Sequence, residues 1–452
     1  MTQTESPIVV QIVTLGCAKN LVDAEVMCGT LAANGIYLTA ERDEADLVII
    51  NTCAFILDAR KEAEAAIKDA LRWRGRGLRR GVLRAVAVGG CLPQRQPEQC
   101  AARWPDVDFF LGLDDIAKVA DLIKSFFNGK LSGRNIPRAC LPTYLYDHES
   151  PRLMATPGAY AYIKVAEGCD HHCAFCAIPG IRGRLRSRQP GSVVEECKQL
   201  LDMGVKEINF IAQDTSAYGR DLGGGHNLAE LLRECDKLPG EFWLRVLYTH
   251  PAHITEELLQ LLAGGGHVVP YLDMPLQHVS TSILTAMRRQ MDGHATRKLL
   301  AHIKEDYPNL ILRTTMLTGF PGETEDDFQE LCEFIQEIRF DRLGAFSFSP
   351  EEGTPAFDIQ EGKVPNAVAV RRRNALLELQ RQISLERNKS LIGSKVRVLL
   401  EEREGRKFVG RGFADAPEVD QRIVCKGTNL RLNDFADVTI TSCTEYELRC
   451  EQ

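Results

Sequence analysis

Over the first stretch of the chain, to about Gly133, short apolar runs alternate with longer segments whose apolar residues recur at helical spacing. Val9–Val13, Leu47–Ile50 and Ala85–Val88 are continuous, small or β-branched runs, which predict a parallel sheet with helices between its strands. Each is followed within a few residues by a cysteine: Cys17, Cys53 and Cys91. Ligands of open parallel sheets bind beyond the carboxyl ends of the strands, so cysteines far apart in sequence can meet there. Periodicity lapses from Leu131 to Pro157, where Gly133, Pro137, Pro142, Pro151 and Pro157 read as an interdomain linker. A second series follows, with strand-like runs starting near Tyr160, Glu207, Phe242, Tyr271, Leu310 and Leu343, and helical patterns such as Ile254–Ala263 and Glu325–Ile338 between them. Six such units with parallel strands predict a barrel or partial barrel with its chemistry at the carboxyl ends of the strands. Ala367 to about Ser390 reads as one polar helix. Beyond it Val396–Leu400, Phe408–Arg411 and Asp437–Thr441, separated by charged or glycine-bearing turns, predict a small β-barrel. The expected class is α/β: an N-terminal sheet domain over 1–135, a linker over 136–157, a central (β/α)6-type partial barrel over 158–388 and a terminal β-barrel over 389–452.

Composition adds that the chain folds in water, with hydrophobic residues at 44% and charged residues at 26%. No stretch is long and apolar enough to span a bilayer. Met1–Pro7 has neither a basic start nor an apolar run, so no secretory signal and a cytoplasmic location are expected. In that reducing compartment fifteen cysteines favour metal or catalytic roles over disulfides. Cys197, Cys235 and Cys332 fall in helix-like stretches and are expected in the core. A net charge of -7 argues against holding nucleic acid by broad phosphate neutralisation, although a local basic groove stays open. One candidate is Arg72 to Arg84, where six arginines interleave with Gly75, Gly77 and Gly81; a solvated loop is the plainer reading.

The sharpest local signal is Glu167-Gly-Cys169-Asp-His-His-Cys173-Ala-Phe-Cys176, directly after the first barrel strand. Three thiolates this close can hold three irons of a four-iron cluster, which leaves one iron open to a ligand. A zinc site completed by His171 or His172 is the alternative, but structural zinc is usually held by two separated ligand pairs. Phe175 lies between two of the cysteines and is expected to shield the cluster. Other candidates also lie at strand ends. Thr318-Gly-Phe-Pro-Gly-Glu323 follows a strand, Thr324 and Asp327 form a capping-box pattern, and Gln213-Asp214-Thr215 and Tyr271–His278 face the expected site; each also reads as a turn, cap or polar plug.

The CxxxCxxC loop at the end of the first barrel strand resembles the signature of the radical S-adenosylmethionine superfamily. That resemblance implies that S-adenosylmethionine binds the open iron and is cleaved to a deoxyadenosyl radical, with Gly319 and Gly322 along its adenosine. Asp214 and Gln277 are further candidate cofactor contacts. Leu15-Gly-Cys17-Ala-Lys-Asn20, Asn51-Thr-Cys53 and Gly89-Gly-Cys91 resemble the amino-terminal domain of methylthiotransferases, in which three such cysteines bind a second cluster. The tail resembles the TRAM module of the same family. Within it, Asn51-Thr-Cys-Ala-Phe-Ile56, Gln213–Gly219, Tyr271–His278 and Phe348–Pro355 look like the RimO branch, which modifies an aspartate of protein twelve of the small ribosomal subunit, rather than the branch that modifies adenosine in transfer RNA. From Leu391 onward about ten Lys and Arg face about eleven Asp and Glu, a balance that suits a protein better than RNA. Arg182, Arg184, Arg186 and Arg188 form a basic loop that could meet phosphate or an acidic peptide, or simply be solvated. The family implies two 4Fe-4S clusters, two S-adenosylmethionine per turnover and an external electron donor such as flavodoxin or ferredoxin. One S-adenosylmethionine methylates a sulfur at the first cluster, the other makes the radical that takes hydrogen from the aspartate β-carbon, and no acid-base triad is needed. An iron-sulfur redox sensor is the non-enzymatic alternative.

Overall fold

The computed structural model describes residues 7–452, and Met1–Ser6 of the stretch without a secretory pattern lie outside the described residues. Packing divides the chain into two compact units: one of Met1–Ala155 with Glu167–His171 and Cys176–Arg186, the other of Thr156–Ala166, His172–Phe175 and Ser187–Gln452.

The first unit is built on five parallel strands, β1 (Val9–Thr14), β2 (Tyr37–Leu38), β3 (Leu47–Thr52), β4 (Ala85–Gly90) and β5 (Phe109–Leu111), in the order β2-β1-β3-β4-β5. Their connections are α1 (Ala18–Ala33), α2 (Leu57–Arg79), α3 (Cys91–Arg95) and α4 (Pro97–Arg103), with α5 (Val119–Phe127) after the last strand. Every residue of β3 and β4 is buried, as their unbroken apolar runs require. β1, β3 and β4 are neighbours in register, with Thr14 opposite Asn51 and Thr52 opposite Gly90.

The arginine run from Arg72 to Arg84 differs from the loop expected of it. α2 continues through it to Arg79, because Ala63, Ile67, Ala70 and Trp73 keep a helical stripe packed on Val48 and Val88. Gly77 is buried, and a Cβ there would lie 2.3 Å from Arg84 Cδ, so the glycine admits the returning Arg84, whose guanidinium lies 4.6 Å from the Trp73 ring centroid. Arg74 pairs with Asp108 at 2.7 Å. The segment after α5 has no helix or strand up to Tyr160, but it is tied to the first unit: Arg134 donates to the carbonyls of Val107 and Ala101, and Leu153 N donates to Glu25 O.

In the second unit β6 (Tyr160–Lys164) opens the strand series. Two-residue strands β7 (Ala166–Glu167) and β8 (Arg186–Ser187) flank the cysteine loop and α6 (Ile178–Arg182). The series continues with β9 (Glu207–Ile211), β10 (Trp243–Val246), β11 (Tyr271–Asp273), β12 (Ile311–Thr318) and β13 (Arg342–Ser347), each starting within one residue of its expected position. Between them run α7 (Pro190–Asp202), α8 (Leu228–Asp236), α9 (Glu256–Ala263), α10 (Thr281–Ala286), α11 (Gly293–Asp306) and α12 (Glu325–Ile338). β6-β9-β10 and β11-β12-β13 form two sheets whose pairings are parallel, and an isolated parallel bridge links Leu244 of β10 to Val268, just before β11. Thr324 and Asp327 form the expected reciprocal cap of α12. Cys197 and Cys235 are buried with their sulfurs 3.7 Å apart, and Cys332 is half-buried.

The polar helix is α13 (Asn366–Ser390), and the tail closes as a five-stranded barrel of β14 (Lys395–Glu404), β15 (Lys407–Gly412), β16 (Arg422–Lys426), β17 (Phe435–Cys443) and β18 (Glu447–Glu451). β16 and β18 escaped the pattern reading, being only five residues each, with charged ends. The tail covers the amino ends of the central strands. Arg411 reaches buried Glu207, Arg245 donates to Phe413 O at 2.7 Å, Tyr271 Oη to Asp420 at 2.5 Å, and Arg342 Nε to Asp415 at 2.9 Å. Burial alone would raise the Glu207 carboxyl; Arg411 and Arg245 hold it below the usual carboxylate range. With that end occupied, the carboxyl ends remain for chemistry.

Candidate functional site

The register of β1, β3 and β4 places three cysteine-bearing turns side by side. Cys17 caps the amino end of α1, Cys53 follows β3, and Cys91 opens α3. Two of these turns depend on glycine. Gly16 has φ +93°, and a Cβ on it would lie 2.5 Å from Cys53 Cβ; Gly90 has φ +87°, and its Cβ would lie 2.4 Å from Asn51 Oδ1. Only a residue without a side chain turns so sharply while the neighbouring strand stands this close.

Polar residues in the same motifs stitch the three turns together. Asn20 Nδ2 donates to Leu15 O at 3.0 Å and Thr52 O at 2.9 Å, and Asn51 Nδ2 returns a bond to Asn20 O at 2.8 Å. Thr52 Oγ1 donates to Gly89 O at 2.6 Å and accepts from Leu92 N. Burial pushes the Cys91 thiol up to about 12; Arg182 opposes the rise, while Cys53 and Cys17 add to it. Burial also raises Cys53, with a contribution from Cys17. The three sulfurs thus lie within one another's electrostatic reach. A sulfur-only donor set of this kind suits a soft metal or an iron-sulfur cluster, whose binding would deprotonate the thiols outright.

Arg182 was not among the ligand candidates, yet it ends in this site. Its guanidinium is buried, donates to Glu167, Asp23 and Asn20, and lies 3.4 Å from Cys91 Sγ. The basic loop that could have met phosphate or solvent is therefore partly inward: Arg188 is also buried and pairs with Glu196, whereas Arg184 is exposed. Alternate arginines on a short segment look solvated in sequence because their burial depends on tertiary packing, such as the approach of Asp23, 159 residues away, to Arg182.

The segment from Gly168 to Ala177 carries Cys169, Cys173 and Cys176 without regular structure. In the first unit, Cys169 N donates to Gly183 O at 3.0 Å, and Gly168, at φ +80°, leaves room for Arg184 O, which would lie 2.0 Å from a Cβ. Ala177 and Ile181 join the core that contains Cys91. In the second unit, Cys173 is buried and its sulfur accepts from Arg289 Nη1 at 3.5 Å. Ala174 is pinned on both sides, its N–H to Met287 O and its carbonyl to Ala356 N–H. Phe175 packs, half-buried, with Ile283, Met287 and Phe320. Again the donor set is sulfur, beside an apolar wall.

The four other candidate contacts are held by the chain itself. Gly319 has φ +78°, and its Cβ would lie 2.2 Å from Ala369 Cβ of α13; its N–H donates to Glu323. Gly322, at φ +93°, donates to Gly362 O. The close approach of α13 thus accounts for the glycine at 319. Asp214 is buried, accepting from Ser216 at 2.5 Å and facing His253 Nδ1 at 2.8 Å. Gln277, at φ +75°, bridges to β12 through Thr315 and Leu317. Next to it His278 is buried; burial lowers it to about 4, its Nδ1 accepts from Ser280 N, and its Nε2 has no hydrogen-bond partner among the described residues.

Comparison with known proteins matches three stretches of the chain to known families. Residues 9–112 match the uncharacterized protein family UPF0004, residues 163–335 the radical SAM superfamily, and residues 392–452 the TRAM domain. The ribosomal protein uS12 methylthiotransferase RimO of Syntrophus aciditrophicus is 44% identical over 98% of this chain and 98% of its own length. The protein of the same name from Pelotomaculum thermopropionicum is 41% identical over 97% and 98%. Among solved structures, the radical S-adenosylmethionine methyltransferase TsrM of Kitasatospora setae aligns with a TM-score of 0.56 at 16% identity, covering 88% of this chain and 79% of that one, which speaks to the fold alone.

Proposed function

The chain belongs to the RimO family of ribosomal protein uS12 methylthiotransferases, and on that premise we propose that it inserts a methylthio group at the β-carbon of an aspartate of uS12. The observation that carries the reading is the convergence of Cys17, Cys53 and Cys91 at three adjacent strand ends, a sulfur site additional to the Cys169, Cys173 and Cys176 loop. Each set holds one 4Fe-4S cluster. When bound, the clusters and S-adenosylmethionine supply the transferable sulfur and the radical.

The protein's part is placement and exclusion of water. Gly16, Gly90 and Gly168 turn the backbone so that three of the six thiols leave their strands at fixed angles. Ala174, Met287 and Phe320 form an apolar wall beside Cys173, which limits the access of water to a reactive centre. Gly319, Gly322, Asp214 and Gln277 are assigned to the S-adenosylmethionine side. Gly319 and Gly322 contribute backbone shape, because their N–H groups already serve Glu323 and Gly362.

A protein substrate suits the tail, whose arginines are largely paired: Arg411 with Glu401, Arg422 with Glu404 and Glu447, and Arg397 with Glu241. The same reading places the enzyme in the cytoplasm with an external donor of the flavodoxin or ferredoxin class. It takes 1–135, 158–388 and 389–452 as the cluster-bearing, radical and TRAM domains, joined by 136–157. Mass spectrometry of uS12 and of transfer-RNA nucleosides from a deletion strain tests it. Loss of the methylthio mass from uS12 is expected; loss of methylthioadenosine with uS12 intact would overturn it in favour of the transfer-RNA activity.

A further inference from the structure

Arg182 makes five hydrogen bonds that span two parts of the first unit. Nη1 donates to both Glu167 oxygens, at 3.0 and 2.9 Å; Nη2 donates to Asn20 Oδ1 at 2.8 Å, Asp23 Oδ2 at 3.0 Å and Cys91 Sγ at 3.4 Å. Its side chain is 2% exposed, and those of Asp23 and Glu167 are 4% and 5%. Glu167 stands two residues before Cys169 and Arg182 six after Cys176. One guanidinium therefore ties the third thiol of the dispersed set to both ends of the segment that carries Cys169 and Cys176. A buried pair held this way is costly to break from one side, and its fork fixes direction as well as distance.

We infer that Arg182 is a positioning residue for the first cluster: it orients the Cys91 sulfur and lends it a hydrogen bond and a positive charge that stabilise the reduced cluster. The inference rests on the reading that Cys17, Cys53 and Cys91 hold a cluster. Hydrogen bonds to ligand sulfurs and the net charge around them set cluster potentials, so the consequence is electrochemical as well as structural. Asn20 is the second half of the device: its Oδ1 takes the Nη2 bond while its amide nitrogen holds Leu15 and Thr52, so the arginine is fixed to two of the three cysteine-bearing turns. Lysine can supply the charge at this position but cannot reproduce the fork.

The test is an anaerobic redox titration of full-length, reconstituted protein followed by electron paramagnetic resonance. Cys17→Ala/Cys53→Ala/Cys91→Ala protein serves to assign the signal of the other cluster. Arg182→Met is made together with Glu167→Gln, so that one positive and one negative charge leave at once, the net charge around Asp23 is unchanged, and the shift reports the loss of the bond to the Cys91 sulfur. The expected result is a shift of the first cluster toward the oxidised form by about tenfold, or about 59 mV for one electron, or release of its iron, with the second cluster unchanged. Arg182→Lys is expected to recover part of the shift. An unchanged first cluster, or an equal shift in both clusters, overturns the inference. So does failure of Arg182→Lys to fold, which would make the residue a brace of the fold rather than of the sulfur. Wild-type protein that takes up only one cluster would instead overturn the two-cluster reading.

Discussion

The two cysteine sets present the same kind of sulfur donors by different routes. Cys17, Cys53 and Cys91 are gathered by a buried sheet, and their separation is set by the register of β1, β3 and β4 and by Asn20, Asn51 and Thr52 between the turns. Cys169, Cys173 and Cys176 share eight residues of irregular chain, held by one backbone bond at Cys169, two at Ala174 and apolar packing at Phe175 and Ala177. The common device is a glycine with positive φ before a cysteine, at Gly16, Gly90 and Gly168. A site spread over a sheet inherits rigidity from the whole domain, whereas a site on one loop depends on a few local contacts.

The largest effects should come from removing either set. Replacing Cys17, Cys53 and Cys91 by alanine is expected to lower iron after reconstitution from about eight to about four per chain, while release of deoxyadenosine from S-adenosylmethionine continues. Replacing Cys169, Cys173 and Cys176 should remove the other four and abolish deoxyadenosine. Loss of all iron from either variant would instead mean that the two sets load iron as one cooperative unit.

The glycines before the cysteines distinguish the two sets as well. Alanine at Gly168 would bring its Cβ to 2.0 Å from Arg184 O at φ +80°, and alanine at Gly16 would bring it to 2.5 Å from Cys53 Cβ at φ +93°. Left-handed strain and overpacking together cost roughly 2–5 kcal/mol. Gly168→Ala should reduce deoxyadenosine formation and spare first-site iron, and Gly16→Ala should do the reverse. Iron counts and thermal melts of the two variants measure the contrast.

What the sequence made legible follows the same division. The loop set stands out by spacing, because all three cysteines lie within one local motif. The dispersed set was readable only through its position after three strand-like runs, an inference about register that the pairing of Thr14, Asn51 and Gly89 bears out. Arg182 could not be read that way: its partners Asn20, Asp23 and Cys91 lie 91 to 162 residues away, and nothing local distinguishes it from solvated Arg184. The run at Arg72–Arg84 misled for a related reason, since the buried stripe of α2 and the stacking of Arg84 on Trp73 override its loop-like glycines.

Acid should have a milder effect, through a group of the second unit. His278 is held neutral by burial, with a folded value near 4 against an ordinary 6.5, so the unfolded chain binds the extra proton. Stability from this group is therefore level above pH 6.5 and falls as pH drops toward 4, by about 2 kcal/mol between pH 7 and pH 5. Anaerobic urea denaturation at the two values should show the fall in wild type and a shallower one in His278→Asn. Equal slopes would mean that the imidazole is not held neutral.

The smallest effect is expected at Arg289, the counterpart of Arg182. It too donates to a cysteine sulfur, Cys173 at 3.5 Å, with its other nitrogen on Pro275 O at 2.8 Å, but it is only half-buried and has no carboxylate partner among the described residues. Water screens a charge in that position, and a hydrogen bond at such an edge contributes about 1 kcal/mol or less. Arg289→Ala should therefore move the redox equilibrium of the loop cluster by less than about tenfold, with iron retained. If it moves that cluster as far as the Arg182 variants move the first, then proximity of a guanidinium to sulfur, rather than its burial and bracing, sets the potential. The rigid and the local site would then differ in geometry but not in electrostatics.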